Sequence, residues 1–557
     1  MNRYASILAI AFSLASVPIA AKTAPAPAPQ TAAAATPAPN TPPKLIVAIS
    51  VDQFSADLFG EYRGSFTGGL ARLQKGAVFP SGYQSHAATE TCPGHSTILT
   101  GFRPEHTGII ANTWTDLGVA REDKQVYCAE DETVPGTDHT GTYTVSDKHL
   151  LVPTLGERMK AANPKVRVVS VAGKDRAAVM MGGHNVDELW WWNGKAMVSY
   201  AGRATPPVVA RANAAIAARI AAPQAALEVP QQCKAHDVAI PIGAGKTVGA
   251  GHFAREAGNA SAFRASPAFD GAIVALAAGL VQDMKLGQGD TTDIIDVGAS
   301  ATDYVGHTFG TEGAEMCIQL QQLDATLGSF FDVLDSTGVD YEVVLTADHG
   351  GNDIPEREIN AGLPEAQRAR VALAPAVAGK AIAAKLGIGK PVLFGDIPNG
   401  DVYIARDLTP AQRKAVQDAA IAYYKADPQV AEVFTAAQIA ATPTPKGPPE
   451  RWTLLQRARA SYRAGRSGEL LVLLKPRVTP IPDPTKGYVA THGSPYDYDR
   501  RVPILFWRKG MTGFEHPAGI ETVDIAPTLA NQIGLKIAAP RMDGKCLDLS
   551  KAGAPCA

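Results

Sequence analysis

The chain repeatedly places a residue that can bind a metal directly after an apolar, strand-like run. Asp52 follows LIVAISV, and the pair Asp348–His349 follows VVLTA. The full set of such residues is Asp52, Thr91, Asp303, His307, Asp348, His349 and His492. Because the carboxyl ends of parallel strands meet at one edge of a sheet, these side chains can converge there. The pattern therefore favours a sheet fold with a metal centre at its edge.

The composition is that of an ordinary globular protein. The 557 residues are 46% hydrophobic and 19% charged, and the formal net charge is −2. A nucleic-acid polymer is held by a strongly basic face, and a polybasic patch draws a protein to anionic lipids. The balanced charge argues against both kinds of partner. The length allows one large domain with insertions, or two or three smaller domains.

The first 21 residues have the character of an export signal. Asn2 and Arg3 precede an apolar stretch from Ile7 to Val17, which is shorter than the roughly 18 residues that cross a bilayer. The segment that follows is rich in Ala, Pro and Thr, a composition typical of a semi-extended linker. We therefore expect a signal peptide over residues 1–21, a linker over residues 22–43, and a periplasmic or secreted protein without a membrane anchor.

Apolar, β-branched runs alternate with helical stretches along the rest of the chain. The predicted strands are Leu45–Ser50, Val166–Val171, Asp293–Val297, Tyr341–Leu345, Glu469–Leu474 and Val502–Phe506. Their continuous apolarity is typical of strands that are covered on both faces, and hence of a mostly parallel sheet. The alternation predicts an α/β fold in which a doubly wound, mostly parallel sheet is flanked by helices.

Helical periodicity is clearest between the third and fourth predicted strands. Apolar residues there step by three or four from Met316 to Leu334, and Gly338 ends the predicted helix. A second helix is predicted from Val523 to Ile533. Both helices have one apolar stripe that can pack on the sheet.

Residues 355–490 are interpreted as an insertion that crowns the site. Two Ala-rich pieces, Pro364–Ala374 and Thr409–Ala426, are predicted to be helical and alternate with Pro-rich turns. The segment stands between Asp348–His349 and His492 in the chain. We therefore divide the core of the fold into residues 44–354 and 491–557.

Six cysteines fit an exported protein with a few disulfide bonds. The spacing favours a Cys546–Cys556 bond, allows a Cys128–Cys233 bond, and suggests buried thiols at Cys92 and Cys317, and the sequence leaves the connectivity open. The chain has no Cys-x-x-Cys pattern, which argues against a thiolate zinc site.

Oxygen and nitrogen ligands without sulfur favour zinc, with Mn²⁺ or Co²⁺ as alternatives. Asp303 and His307 are four residues apart, so both reach one ion if the segment is helical. Asp348 and His349 are adjacent and can share an ion only at the frayed end of a strand, where two glycines free the backbone. The set predicts two ions, and ions about 3.5–4 Å apart can stabilise the attacking and leaving oxygens of an in-line displacement.

Thr91, in the sequence TETCPGH, is the predicted nucleophile. A hydroxyl attacks poorly at neutral pH, but metal coordination lowers its pKa. The run HSTILTG predicts a helix whose N-terminus would face a phosphate. Thr89 is the rival nucleophile, and His95 is interpreted as a structural partner of this turn.

Donors for phosphoryl oxygens lie on two other segments. Asn112 in IIANTW offers an amide. Lys174 and Arg176 in VAGKDRA alternate, so an extended backbone presents both on one face. These three residues are the predicted substrate-binding residues.

The ordered set D…TxTxPGH…N…KxR…DxxxH…DHGG…THGS resembles the alkaline phosphatase superfamily. Within it, the chain is similar to exported bacterial alkaline phosphatases with a Thr nucleophile, relatives of nucleotide pyrophosphatase/phosphodiesterases, from about Lys44 onward. The resemblance implies an alkaline phosphatase-like fold and hydrolysis of phosphate monoesters through a phospho-threonine intermediate. It implies two zinc ions, one held by Asp303, His307 and His492 and one by Asp52, Asp348 and His349, with Thr91 bridging toward the phosphate. It also implies that Asn112, Lys174 and Arg176 act in catalysis as a phosphoryl clamp.

Three alternatives to a zinc phosphomonoesterase stay open on the sequence. A phosphodiesterase or nucleotide pyrophosphatase on the same scaffold needs an apolar pocket, which Trp190–Trp192 could supply, although packing is the favoured interpretation of that run. A sulfatase needs C/S-x-P-x-R, which the residues around Cys92 lack. A metal-binding protein without turnover is the third alternative. We expect small phosphate esters as partners, no nucleic-acid polymer, and a monomer.

Overall fold

The structure is a computed structural model that describes residues 41–556. The predicted signal peptide and residues 22–40 of the predicted linker lie outside the described residues. The strands are β1 (Leu45–Val51), β2 (Ala77–Tyr83), β3 (Thr113–Thr115), β4 (Gln125–Tyr127), β5 (Val168–Ala172), β6 (Glu188–Trp192), β7 (Met197–Val198), β8 (Ile240–Gly243), β9 (Lys246–Val248), β10 (Asp293–Ala299), β11 (Tyr341–Thr346), β12 (Gln367–Arg368), β13 (Leu393–Phe394), β14 (Gly400–Ile404), β15 (Val430–Thr435), β16 (Leu470–Leu474), β17 (Val478–Thr479), β18 (Arg501–Arg508), β19 (Phe514–Glu515), β20 (Ile520–Glu521), β21 (Leu547–Asp548) and β22 (Ala554–Pro555).

The α-helices lie between these strands. They are α1 (Ala56–Tyr62), α2 (Gly69–Leu73), α3 (Thr91–Ile98), α4 (Pro104–Thr107), α5 (Leu155–Ala162), α6 (Asp175–Gly182), α7 (Pro207–Ala221), α8 (Ala260–Arg264), α9 (Pro267–Asp283), α10 (Ala301–Phe309), α11 (Ala314–Ser336), α12 (Pro355–Asn360), α13 (Pro375–Leu386), α14 (Pro410–Lys425), α15 (Ala436–Ala441), α16 (Leu454–Ser461), α17 (Asp497–Arg500) and α18 (Ile525–Gln532).

A large mixed sheet forms the centre of the fold. Its strand order is β19–β2–β18–β11–β1–β10–β5–β6–β7, and β20 also pairs with β2. The five strands β11, β1, β10, β5 and β6 are parallel to one another, whereas β18 is antiparallel to both β11 and β2. This arrangement confirms the predicted α/β fold with a mostly parallel sheet. It corrects one expectation, because the predicted strand Val502–Phe506 runs against its neighbours.

Both faces of the central sheet are covered, which explains the continuous apolarity of its strands. Successive residues of β1 belong alternately to two hydrophobic clusters. The first cluster includes α9 and α11 on one face, and the second includes α5 and α18 on the other face. The predicted apolar stripe from Met316 to Leu334 is buried along α11, which confirms that prediction. The predicted helix Val523–Ile533 corresponds to α18.

A second, four-stranded antiparallel sheet lies within residues 355–490, with the order β13–β14–β16–β15. It has its own hydrophobic cluster, formed with α13 and α14. The predicted strand Glu469–Leu474 is therefore a strand, β16, but it belongs to this sheet and not to the parallel one. Its apolarity comes from the separate core. The boundaries of the insertion at 355 and 490 stay a prediction.

One of the two helices predicted in this segment is wrong. Residues 367–368 pair with Val478–Thr479 instead, and a short 3-10 turn follows at Val371–Leu373. The α-helix begins only at Pro375, because proline fits the first turn of a helix but breaks its interior. The other predicted helix, Thr409–Ala426, is confirmed as α14, which Thr409 caps.

Three disulfide bonds join the six cysteines. The bonds are Cys92–Cys128, Cys233–Cys317 and Cys546–Cys556. The C-terminal bond agrees with the prediction, whereas the Cys128–Cys233 pairing and the two free thiols are wrong. Cys317 lies on the buried side of α11, where the 3-10 turn that carries Cys233 packs against it. Cys92 lies in α3 and meets Cys128 at the end of β4.

Candidate active site

The predicted metal-binding residues meet at the carboxyl edge of the parallel strands. Asp52 follows β1, Asp303 lies in α10 just after β10, and Asp348 follows β11. Lys174 comes two residues after β5. His492 precedes β18, and because β18 is antiparallel to β11, its amino end lies at this same edge. The topology thus brings together side chains that are far apart in the sequence.

One group of ligand atoms surrounds Asp303. Its Oδ1 lies 3.3 Å from Nε2 of His307 and 3.4 Å from Nε2 of His492. The Nδ1 of His307 lies 2.8 Å from the Ala490 carbonyl oxygen, and that of His492 lies 2.8 Å from the Thr89 carbonyl oxygen. An imidazole that donates from Nδ1 to a carbonyl presents Nε2 as a lone-pair donor, which is the usual state of a histidine ligand.

A second group contains Asp52, Asp348 and His349. Nε2 of His349 lies 3.2 Å from Oδ2 of Asp348, and its Nδ1 lies 2.8 Å from the Gly350 carbonyl oxygen. Burial alone lowers the pKa of His349, but the Asp348 carboxylate outweighs it and raises the pKa to about 9. The same imidazole lies 4.0 Å from Asp303, so it stands between the two groups.

His95 also belongs to the second group, which the sequence analysis did not foresee. Its Nε2 lies 3.3 Å from Asp52 Oδ1, and its Nδ1 lies 3.3 Å from Asp348 Oδ2 and 2.9 Å from the Thr91 carbonyl oxygen. His95 is fully buried. The sequence feature that could have revealed this role is the spacing of four residues between Thr91 and His95, which places both on one face of α3.

The residues in both groups fit divalent cations. Several of their buried atoms have no hydrogen-bond partner among the described residues: Asp52 Oδ1, His95 Nε2, Asp303 Oδ1, Asp348 Oδ2 and His349 Nε2. Leaving buried charged groups unpaired is costly, so such atoms indicate a missing partner. Ligands about 2.0–2.1 Å from a tetrahedral zinc lie about 3.3 Å apart. The N–O separations here are 3.2–3.4 Å.

The Thr91 hydroxyl points at two cationic side chains. Its Oγ1 lies 3.3 Å from Lys174 Nζ and 3.4 Å from Arg176 Nη2, and the residue is fully buried at the start of α3. The hydroxyl of the rival, Thr89, instead donates to the Ser494 carbonyl over 2.7 Å. The geometry therefore favours Thr91 over Thr89 as the reactive hydroxyl.

Gly94 permits the close approach of α3 to the loop after β11. A Cβ atom at this position would lie only 2.0 Å from the Asp348 carbonyl oxygen. Any other residue would push Thr91 away from the metal-binding carboxylates. This accounts for the glycine in TETCPGH.

Asn112 is fixed beside the nucleophile turn. Its Oδ1 accepts from the Cys92 amide over 2.8 Å, and its backbone amide donates to Glu90 over 2.6 Å. The backbone amide of Cys128 donates to the Asn112 carbonyl over 2.9 Å, next to the Cys92–Cys128 bond. With its oxygen engaged, the side-chain NH₂ of Asn112 is left to donate to a ligand.

Lys174 connects Thr91, the predicted nucleophile, to both groups of candidate metal-binding residues. Its Nζ lies 2.5 Å from Asp303 Oδ2 and 3.0 Å from Asp52 Oδ2. Burial lowers the pKa of Lys174, but the two carboxylates outweigh it and raise the pKa above the ordinary value. Lys174 is therefore a buried ammonium ion within reach of Thr91.

A cavity of about 300 Å³ opens beside this arrangement. The central fold lines it with Asn112, Arg176, His307 and His492, and the segment 355–490 lines it with Asp396, Asn399, Tyr403 and Tyr488. The run Trp190–Trp192 forms β6 and is buried in the sheet, and none of its residues lines this cavity. The favoured interpretation of that run as packing agrees with this burial.

The fold and the site together define a member of the alkaline phosphatase superfamily. The sequence pattern of the Type I phosphodiesterase / nucleotide pyrophosphatase family matches residues 46–495, and the chain belongs to that family. It is 60% identical over 514 residues to alkaline phosphatase PhoK from Sphingomonas sp., with 91% of each chain covered. It is 48% identical to alkaline phosphatase PhoD from Zymomonas mobilis, with 91% of this chain and 88% of the relative covered.

A solved structure shares the fold. The crystal structure of wild type alkaline phosphatase PafA superimposes with a TM-score of 0.77 at 24% identity, covering 90% of this chain and 97% of the other. At this identity the likeness concerns the fold, and it agrees with the fold class predicted from the sequence.

Proposed function

We propose that the protein is a two-zinc phosphomonoesterase in which Thr91 is the nucleophile. The observation that carries the proposal is the place of the Thr91 hydroxyl, between Lys174 and Arg176 and beside two groups of buried carboxylates and imidazoles. The naming of two relatives, which are 60% and 48% identical to the chain, as alkaline phosphatases supports it.

The roles of the metal-binding residues follow from the two groups. Asp303, His307 and His492 would hold one ion, and Asp52, Asp348, His349 and Thr91 would hold the other. When bound, zinc supplies the positive charge that lowers the pKa of a hydroxyl or a water and that stabilises a leaving oxygen. His95 is a further candidate ligand, or a partner that orients Asp52 and Asp348.

The chain's own residues position the reacting groups. The Thr91 oxygen attacks phosphorus, the bond to the leaving alcohol breaks, and a phospho-threonine forms, which water then hydrolyses. Lys174, Arg176 and the Asn112 amide donate to the phosphoryl oxygens while charge develops on them. The N-terminus of α3 adds backbone N–H groups on the same side.

The two positive charges of Lys174 and Arg176 favour monoesters over diesters. A monoester dianion carries one more charged oxygen than a diester, and the buried Lys174 together with the partly buried Arg176 stabilises it more strongly. A phosphodiesterase or nucleotide pyrophosphatase on the same scaffold is the second candidate, and the family to which the chain belongs is named for that activity. The burial of Trp190–Trp192 excludes that run as an aromatic platform for a nucleoside.

A periplasmic or secreted location is part of the proposal. Disulfide bonds persist in oxidising compartments, and this chain has three. Across residues 41–556, no helix has the length and apolarity that a membrane crossing requires.

The test compares two esters with one leaving group, p-nitrophenyl phosphate and methyl p-nitrophenyl phosphate. We expect kcat/KM for the monoester to exceed that for the diester by roughly two orders of magnitude or more, the size of effect of one well-placed charged donor. Thr91→Ala should abolish turnover and keep the zinc content, whereas Thr91→Ser should keep turnover. A preference for the diester, or full activity of Thr91→Ala, would refute the proposal.

A further inference from the structure

The guanidinium of Arg176, which is partly buried beside the cavity, has an unusual environment for a cation. Its side chain makes two hydrogen bonds among the described residues, from Nη2 to Thr91 Oγ1 over 3.4 Å and from Nη1 to the Tyr127 hydroxyl over 3.4 Å. Among residues 41–556, no carboxylate lies within salt-bridge distance of the Arg176 guanidinium, and its Nε has no hydrogen-bond partner. Apart from Thr91, the group that orients the Arg176 side chain is therefore the neutral hydroxyl of Tyr127.

Tyr127 is itself held firmly. Its hydroxyl donates to Asp175 Oδ1 over 2.6 Å, and the same carboxylate accepts the backbone amide of Arg176 over 2.7 Å. Burial, and after it the Asp175 charge, raises the pKa of Tyr127 far above the ordinary value, so the hydroxyl keeps its proton. The proton points at Asp175, which leaves the oxygen lone pairs of Tyr127 to accept from Arg176.

The backbone of Tyr127 is tied to the nucleophile as well. Tyr127 is the last residue of β4 and pairs with Thr113, which follows Asn112. The next residue, Cys128, is bonded to Cys92, which follows Thr91. A short path of covalent and hydrogen bonds thus connects the nucleophile turn to the hydroxyl that contacts Arg176.

We propose that Tyr127 is a positioning residue that orients the Arg176 guanidinium toward the phosphoryl group held at Thr91, and that it thereby contributes to the preference for phosphate monoesters. The proposal rests on the function proposed above. Among the described residues the Tyr127 hydroxyl makes hydrogen bonds with Asp175 and Arg176 and with none of the candidate metal ligands. It therefore acts through the direction of the Nη2–H bonds of Arg176.

Tyr143 provides a matched control. Its hydroxyl donates to the other oxygen of Asp175 over 2.7 Å, its ring lies 4.8 Å from that of Tyr127, and it makes no hydrogen bond to Arg176. Tyr127→Phe and Tyr143→Phe each remove one hydroxyl from the same carboxylate. They differ in whether Arg176 loses a partner.

The experiment measures kcat and KM of both variants with p-nitrophenyl phosphate and methyl p-nitrophenyl phosphate, and inhibition by inorganic phosphate. For Tyr127→Phe we expect kcat/KM for the monoester to fall about tenfold, as for loss of one hydrogen bond to a charged group. The diester rate should fall by less than about threefold, and the phosphate inhibition constant should rise. Tyr143→Phe should leave all three near their original values.

A double-mutant cycle separates positioning from a loss of folded structure. In an Arg176→Ala background, Tyr127→Phe should change the monoester rate no further, because its effect passes through the missing guanidinium. Equal losses on monoester and diester, equal effects of the two Tyr variants, or additive effects with Arg176→Ala would each overturn the proposal. A wild-type protein without monoesterase activity would instead refute the proposed function itself, which is a separate outcome.

Discussion

The Lys174 ammonium donates to the Asp303 carboxylate over 2.5 Å, and both side chains are no more than 2% exposed. A cation at this point neutralises one group of metal-binding residues and at the same time contacts Thr91. Metal ions bound to Asp303 and Asp52 would compete for those carboxylates. Lys174 would then be free to turn toward a phosphate at Thr91.

We predict from this relationship that Lys174→Ala lowers kcat/KM for p-nitrophenyl phosphate by about 10²–10³, the usual loss when a charge-stabilising donor is removed. The diester should lose about tenfold or less, because it has one charged oxygen fewer. Lys414→Ala is the control, since Lys414 is an exposed lysine on α14. Equal losses on both esters would contradict the role assigned to Lys174.

The two groups of ligand atoms should bind metal separately. We expect Asp303→Asn and Asp52→Asn each to reduce the zinc content by about one ion per chain, because each substitution removes a charged ligand from one group. Mass spectrometry of metals in the purified variants checks this. Glu342→Gln, another buried acidic position but one outside both groups, should keep both ions. Loss of all zinc or of none in both Asn variants would argue against two separate groups.

The Cys92–Cys128 bond should matter for activity, and the Cys546–Cys556 bond should not. Replacing Cys92 and Cys128 by Ser should lower the free energy of unfolding by about 2–5 kcal/mol and reduce kcat/KM in the protein that remains folded. The reason is that Cys92 adjoins Thr91 and Cys128 adjoins Tyr127. The Cys546→Ser, Cys556→Ser pair serves as the control. Thermal unfolding and kinetics measure both effects, and unchanged kinetics in the first pair would show that the bond does not align the site.

Glu342 should make the protein less stable at alkaline pH. It is 1% exposed, neither carboxylate oxygen has a partner among the described residues, and burial raises its pKa from 4.5 to about 7 against the opposing charge of Arg508. A pKa raised on folding means that the folded state binds the proton more tightly. The stabilisation that comes from this tighter proton binding is complete below pH 4.5. It is lost as the pH rises from 4.5 through about 7.

Glu342→Gln removes this titration. We compare the free energy of unfolding of the variant with that of the original protein at each pH. The difference, variant minus original, should increase by about 3 kcal/mol between pH 4 and pH 8.5, because folding raises the pKa of Glu342 from 4.5 to about 7. Denaturant unfolding at both pH values measures the difference. A difference that does not change with pH would mean that folding does not raise the pKa of Glu342.

The sequence revealed those parts of the site that follow directly from the order of strands. Asp52, Asp303 and Asp348 each come just after a strand of the parallel sheet, and one rule of α/β topology brings them together. Tyr127 was not foreseen as part of the site, and His95 was foreseen only as a structural partner of the nucleophile turn. A tyrosine before a cysteine has no local pattern that indicates a contact with a distant segment, and the spacing of four residues from Thr91 to His95 does not indicate contacts with Asp52 and Asp348.

The errors in the fold have similar physical causes. The apolar run Glu469–Leu474 resembles a central strand, since burial on both faces gives the same composition in either sheet. The Ala-rich run Pro364–Ala374 has helical composition, but the true helix begins after it at Pro375. Cysteine pairing depends on which turns pack together, and here the backbone amides of Cys92 and Cys128 both donate to Asn112.

The bond between Cys92 and Cys128 also concerns when the enzyme becomes competent. If the protein is exported as proposed above, both residues would stay thiols in the reducing cytosol, and the segments that carry Thr91 and Tyr127 would not yet be covalently joined. Oxidation outside the cytosol would then form the Cys92–Cys128 bond and join the two segments. Export and completion of the active site would then coincide, and phosphate esters in the cytosol would not be hydrolysed before the Cys92–Cys128 bond forms.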